Sequence, residues 1–249
     1  MRPVLTKLTP TRGFASFLHY ALLVLLPLAV FILVRLDFVV LAFIVIILAK
    51  WRMFAVRPRF WPANIRANAV DIMFGMSIVI FMQRTDSVTV QLIWTFVYGL
   101  WLIFIKPRSS VLWVSLQAGI AQLAALSALY AAWAEGSLLA LSLGTGLICY
   151  LAARHFFDNF DESYARLLSY VWGYFGAAMA WLLGHWLLYY QFIAQPTLLL
   201  SAIGYGMAAL YYFHHFERLN VSLRRQFVFI MLAIVLLVLT FSDWGDKVV

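Results

Sequence analysis

Two polar segments of the chain place a histidine three residues before an acid. His155 precedes Asp158 in the segment HFFDNFDESYAR, and His214 precedes Glu217 in the segment HHFERLNVSLRR. Residues three apart lie on one face of a helix, so each pair could bind the same ion. Imidazole and carboxylate groups are together typical ligands of divalent transition metals. These four residues are therefore candidate metal ligands; the sequence indicates no other cofactor.

The aromatic residues of the same two segments indicate a different role. Phe157 and Phe216 lie between the polar residues of the two segments. Aromatic side chains at a membrane surface insert among the lipid headgroups while the neighbouring charges face water. The acids then stabilise the start of the following helix. We favour this interfacial interpretation, ahead of a surface that binds a protein partner and ahead of the metal site.

The two segments also align with each other without gaps. The alignment matches His155 with His214, and apolar stretches flank both segments. It predicts a hairpin of two helices that occurs twice in the same orientation. We place the copies at 137–190 and 197–249, inside a single integral membrane domain that covers residues 1–249.

Composition assigns the chain to the membrane. Hydrophobic residues make up 65% of the 249 residues, charged residues make up 11%, and the mean hydropathy is +0.93. The apolar stretches are continuous rather than alternating, and this pattern predicts helices. We therefore predict an all-α fold, a polytopic transmembrane bundle of about nine membrane-spanning helices. Residues 17–50 are predicted as two crossings, with one broken helix as the alternative. The nine apolar segments lie near 17–34, 38–50, 69–82, 88–105, 110–133, 137–153, 167–190, 197–213 and 227–242.

The basic residues predict the orientation of the bundle. Lysine and arginine in short loops mark the cytoplasmic side of a membrane protein. Alternate gaps between the apolar segments contain fifteen of the eighteen basic residues, and only Arg35, Arg84 and Lys247 fall in the other gaps. The N-terminus is therefore predicted in the cytoplasm and the C-terminus outside, in a plasma (inner) membrane. The same bias accounts for the net charge of +8, so we expect no nucleic acid as a partner. The fifteen residues are Arg2, Lys7, Arg12, Lys50, Arg52, Arg57, Arg59, Arg66, Lys106, Arg108, Arg154, Arg166, Arg218, Arg224 and Arg225.

One cytoplasmic loop combines arginines with aromatic residues and prolines. Arg57, Arg59 and Arg66 alternate with Phe60 and Trp61. Arginines beside interfacial aromatic residues suit an anionic lipid headgroup or a substrate that carries phosphate. Ordinary anchoring of the loop at the membrane surface is the simpler interpretation.

Small residues indicate where helices pack closely. Gly176, Ala180 and Gly184 recur at every fourth position of the seventh segment, a pattern that lets a second helix approach. The fifth and seventh segments are therefore predicted at the centre of the bundle. His185, with Gln117 and Gln122 of the fifth segment as polar partners, could line a path for a solute, but we favour a role of these residues in helix packing.

No motif in the chain identifies an enzyme or a transporter. We therefore expect a non-enzymatic membrane protein, a subunit or scaffold whose cytoplasmic face binds lipid or a protein partner. One alternative is a membrane-embedded enzyme that uses a divalent metal at His155, Asp158, His214 and Glu217 on a lipid-linked phosphate substrate. Another is a facilitative transporter, which requires a polar cavity around Gln122 and His185.

Overall fold

The computed structural model describes residues 14–133, 136–185, 189–190 and 193–242. Four basic residues used to predict the orientation, Arg2, Lys7, Arg12 and Lys247, lie outside the described residues. Within them the chain forms nine α-helices, with a π-helical turn, Trp101–Ile105, continuing the fourth, and two 3₁₀ turns, Trp51–Met53 and Pro58–Phe60. Strands β1 (Tyr189–Tyr190) and β2 (Ile193–Ala194) form a short antiparallel pair. The helices are α1 (Phe14–Arg35), α2 (Val39–Leu48), α3 (Trp61–Gln83), α4 (Val88–Leu100), α5 (Val111–Trp133), α6 (Leu138–Asp158), α7 (Ala165–Gly184), α8 (Gln195–His215) and α9 (Val221–Phe241).

The lengths of the helices confirm a helical, multi-pass membrane protein. Seven of the described helices are long and apolar enough to cross a bilayer, and these are Pro58–Gln83, Val88–Ile105, Val111–Trp133, Leu138–Asp158, Ala165–Gly184, Gln195–His215 and Val221–Phe241. The remaining apolar stretches, Leu23–Arg35 and Val39–Leu48, are shorter. Helix α2 has 10 residues, which corresponds to about 15 Å, or half of the hydrocarbon thickness.

Residues 17–50 contain two helices, α1 and α2, joined by a tight turn, and their two membrane crossings stay a prediction. The turn between α1 and α2 contains Asp37 in a left-handed conformation, with φ of 61°. Aspartate tolerates this conformation better than most residues, so the turn needs no glycine. Val30 and Val34 of α1 belong to the same buried core as Ala42 and Ile46 of α2, and the two helices pack side by side.

Helix α5 lies at the centre of the bundle. It contacts α3, α6 and α8, and its buried stripe includes Ala121, Ala125 and Ala128. The small side chains let these neighbours approach closely. Helix α9, in contrast, packs mainly against α8 and has Val238 as its one buried residue.

Helix α7 packs mainly against α6 and meets α5 at few points, among them the hydrogen bond from Trp172 to Gln122, so it is less central than predicted. Its small residues face a matching set on α6: a Cβ on Gly146 or Gly173 would lie 3.0 Å from the carbonyl oxygen of the other. A Cβ on Gly176 would lie 2.7 Å from Cys149 Sγ, and one on Gly184 would overlap a methyl group of Leu138. Ala180 is also buried. The stripe on α7 therefore serves the α6–α7 hairpin.

A methyl group at position 176 should separate α6 from α7. We expect Gly176→Ala to destabilise the protein by about 1–3 kcal/mol, because the new Cβ overlaps Cys149 in a packed interface. Gly99→Ala in α4 is the matched control, since a Cβ there meets nothing within 4 Å. The control should be neutral or slightly stabilising. Thermal unfolding in detergent measures both, and equal stability of the two variants would contradict the packing argument.

Candidate functional site

Three charged residues meet at one end of the bundle around Asp71. Lys50 Nζ lies 2.5 Å from Asp71 Oδ2, and Lys106 Nζ lies 3.5 Å from the same oxygen. Trp101 Nε1 donates a hydrogen bond of 3.2 Å to the other carboxylate oxygen. The side chains of Lys50 and Asp71 are 9% and 15% exposed, whereas that of Lys106 is 33% exposed. We call Lys50, Asp71 and Lys106 the ion cluster.

Two of the residues that contact Asp71, Trp101 and Lys106, lie at the start of the π-helical turn and directly after it. The amide of Lys106 donates to the carbonyl of Trp101 over 2.8 Å, which is an i to i+5 bond. Side chains five residues apart point in different directions in an α-helix, but the wider turn places them on nearly the same side. Phe74 of α3 stacks on Trp101 with ring centroids 3.9 Å apart and so fixes the indole.

The ion cluster has one more positive than negative charge. Burial lowers the pKa of Lys50 from its ordinary 10.5 to about 8, because the loss of water outweighs the attraction of Asp71. Lys106 lowers this pKa further by repulsion. Lys50 therefore remains protonated at neutral pH, and Asp71 is the acid that compensates its charge in a largely apolar environment.

His155 and Asp158 both lie on α6, but their side chains have different surroundings. The His155 ring interacts electrostatically with Asp71 of the ion cluster, and its Nε2 is buried without a hydrogen-bond partner among the described residues. Asp158 is exposed and forms an ion pair of 2.8 Å with Arg154, one turn earlier. The histidine therefore faces α3, and the acid is paired within its own helix.

The second predicted pair does not lie on one helical face. Helix α8 ends at His215, so His214 belongs to the helix, whereas Glu217 follows it with a left-handed φ of 55°. Both residues are exposed. No group of three or more His, Cys, Asp or Glu side chains is arranged to bind a metal among residues 14–133, 136–185, 189–190 and 193–242. The divalent metal site stays a prediction.

The segment after α2 presents its arginines to the surroundings. Arg57 and Arg59 are exposed and Arg66 is half-buried. The Arg59 guanidinium lies over the Phe60 ring, 4.6 Å from its centroid, and Trp61 Nε1 donates to the carbonyl of Val56 over 3.0 Å. None of the three arginines forms an ion pair with another described residue. Arg57 and Arg59 are therefore exposed charges without an ionic partner among the described residues.

Arginines of the other predicted side bind backbone carbonyl groups. Arg35 at the end of α1 donates to the carbonyl of Asp86 over 3.4 Å. Arg84 at the end of α3 donates to the carbonyl of Ala132 over 2.9 Å. The α1–α2 and α3–α4 turns and the end of α5 therefore lie at the same end of the bundle, opposite the ion cluster.

Gln122 and His185 make hydrogen bonds at separate places. Gln122 donates to the carbonyl of Leu200 over 3.3 Å and accepts a bond of 3.0 Å from Trp172 Nε1. His185 Nδ1 lies 2.8 Å from the carbonyl oxygen of Trp181 on its own helix. Gln122 lines a largely apolar groove to which His185 does not contribute. These contacts favour helix packing over a shared polar path.

The sequence analysis missed two features of this end of the bundle. Asp71 is an acid inside an apolar run, Lys50 follows the apolar run before it and Lys106 follows the apolar run after it, and that pattern was the available signal for the ion cluster. The second feature is a hydrogen bond from the Tyr211 hydroxyl to Glu162, which joins the α6–α7 loop to α8. This bond lowers the pKa of the Glu162 carboxyl below its usual range.

Comparisons with known proteins give no relative. No protein-family model matches the chain, and neither a curated protein nor a solved structure is significantly similar to it.

Replacement of Asp71 tests the ion cluster. We expect Asp71→Asn to destabilise the protein by about 3–5 kcal/mol, because the buried Lys50 loses its compensating charge. The double variant Lys50→Met/Asp71→Asn should recover part of this loss, since it removes the uncompensated charge as well.

Unfolding of the detergent-purified variants is the measurement. Asp86→Asn is the control, because Asp86 is exposed at the opposite end and its replacement should change stability by less than about 0.5 kcal/mol. A single Asp71→Asn variant as stable as wild type would show that the cluster does not stabilise the fold.

Proposed function

We propose that this protein is a non-enzymatic, multi-pass protein of the plasma (inner) membrane whose cytoplasmic face docks on anionic lipid. The observation that carries the proposal is the pair of exposed arginines, Arg57 and Arg59, with no acidic partner among the described residues. Each basic residue near an anionic membrane surface contributes about 1 kcal/mol to the attraction.

The neighbouring aromatic residues support the same docking surface. Phe54 and Trp61 contact each other edge to face with centroids 5.4 Å apart, and both lie beside the two arginines in the chain. Aromatic rings of this kind reside at the level of the headgroups, where their apolar bodies and polar edges are both accommodated. The arginines are thereby held at the depth of the lipid phosphates.

The orientation that we propose has the N-terminus in the cytoplasm and the C-terminus outside. Two arrangements of contacts support it. Lys50 and Lys106, from different cytoplasmic loops, meet at Asp71, whereas Arg35 and Arg84 bind carbonyl groups at the other end. Nine crossings require α2 to cross the bilayer although it is short. The long side chain of Lys50, next to the end of α2, helps to compensate for the difference between the helix length and the hydrocarbon thickness.

The basic residues therefore serve two purposes in this proposal. Lys50 and Lys106 are used inside the protein by Asp71, whereas Arg57 and Arg59 are left for the membrane. A topological signal needs only the count of charges, but docking needs charges that are unpaired and exposed. This difference separates the proposal from ordinary anchoring.

Lipid selectivity of paired variants tests the proposal. The full chain is reconstituted in bilayers that mix phosphatidylcholine with brominated phosphatidylglycerol. Because the chain has ten tryptophans, the difference in fluorescence quenching between each protein and its Trp61→Phe variant reports the anionic lipid near Trp61. We expect Arg57→Gln/Arg59→Gln to lower the preference for phosphatidylglycerol by about fivefold per arginine, and high salt to weaken the preference of the wild type.

The control removes the same charge from the opposite end. Arg35→Gln/Arg84→Gln should keep the preference, because these side chains bind carbonyl groups at the other surface. An unchanged preference in the Arg57/Arg59 variant would refute lipid docking by this segment. An equal loss in both variants would show that net charge alone attracts the lipid.

A further inference from the structure

A groove of about 720 Å³ lies between α5, α6, α7 and α8. Its volume is within the range of sites that hold small molecules or cofactors. The residues that line it are mostly aliphatic or aromatic, and they include Gly119, Leu123, Phe157, Trp172, Ala208 and Tyr211.

The groove results from how the helix pairs pack. Helices α6 and α7 form a close pair through their glycines, and α8 with α9 forms a second pair that leans on α5. Helices α7 and α8 make few contacts with each other, so a gap remains between the pairs. Gly204 of α8 narrows the gap at one level, where its backbone approaches Trp172 and Gln122.

The groove offers few free hydrogen-bonding groups to a polar solute. The amide of Gln122 is already bonded to Leu200 and Trp172. Ser201 Oγ is a buried polar atom without a partner among the described residues. Water in an apolar space with so few partners is unfavourable, whereas hydrocarbon fills it at little cost.

The two ends of the groove differ in polarity. Ser201 is the seventh of the 21 residues of α8, and Tyr211 lies ten positions later, about 15 Å along the helix. The Tyr211 end is next to the α6–α7 loop, where Glu162 accepts its hydrogen bond, and His214 lines the groove there. The groove therefore runs from the level of the headgroups to about the middle of the hydrocarbon layer.

We infer that this groove binds one acyl chain of a membrane phospholipid, with the headgroup at the His214 end and the chain extending toward Ser201. The four helices that form it are each long and apolar enough to cross the bilayer, so lipid chains surround its opening. The inference does not depend on the arginine segment, and the two proposals can fail separately.

Gly119 allows the groove to be filled without disturbing the fold. It lines the groove, and a Cβ there meets nothing within 4 Å. Native mass spectrometry of the full chain, purified in detergent with added phosphatidylcholine, should show one retained phospholipid on the wild type. Gly119→Leu should reduce the retained fraction several-fold.

Two variants make the result specific. Gly99→Leu introduces the same side chain into open space on α4 and should retain the lipid as wild type does. Ser201→Ala should also retain it, because only hydrocarbon reaches that depth. Loss of the lipid in Ser201→Ala would overturn the assignment in favour of a ligand that carries a polar group at this level.

A photoreactive chain gives an independent readout. Phosphatidylcholine with a diazirine near the end of one chain, added to the reconstituted protein, should label peptides of α5 and α8 in the groove more than α9. Gly119→Leu should abolish this excess while α9 labelling remains, which shows that the variant is still inserted. Labelling of α9 and the groove to the same extent, in wild type and variant alike, would overturn the inference, since the lipid would then be bulk membrane.

Discussion

The bundle depends on the need to compensate one carboxylate inside an apolar protein. Asp71 lies where water cannot solvate it well, and the ion pairs to Lys50 and Lys106 are what make its charge tolerable. Lys50 follows α2, and Lys106 follows the π-helical turn that continues α4. Their ion pairs with Asp71 therefore fix the positions of the ends of these two helices relative to α3. The π-helical turn follows from the same demand, because it presents Trp101 and Lys106 to Asp71 together.

The same carboxylate connects the two halves of the molecule. On one side, Asp71 borders the core of α1–α4. On the other side, it interacts electrostatically with His155 near the end of α6. Helix α5 fills the centre between the halves with small side chains. Beyond α5 the α6–α7 hairpin packs tightly on itself, and the α8–α9 hairpin lies beside it with few contacts to α7. The ion cluster and the open groove therefore lie on opposite sides of one central helix.

Hydrophobic periodicity and composition predict the helical class and the order of the segments, because each helix must be apolar over its own length. Local patterns could not predict contacts between distant segments. Lys50 is 21 residues from Asp71 in the chain, and the charge pattern of the sequence does not specify which basic residue Asp71 contacts. The predicted pair of His214 and Glu217 assumed a continuous helix, but the backbone turns left-handed at Glu217. The small residues of α7 indicated close packing, yet only the structure shows that the neighbour is α6.

Helix α9 is the least attached part of the described bundle. The rest of the protein covers almost none of its surface, and it packs mainly against α8. Lipid already solvates such a surface, so little free energy is gained when the helix joins its neighbour. Its own sequence is apolar enough to span the bilayer without support from the other helices. Its separation from α8 would leave the ion cluster and the α6–α7 interface intact, so among the described helices α9 is the one whose loss from the bundle costs the fewest buried contacts.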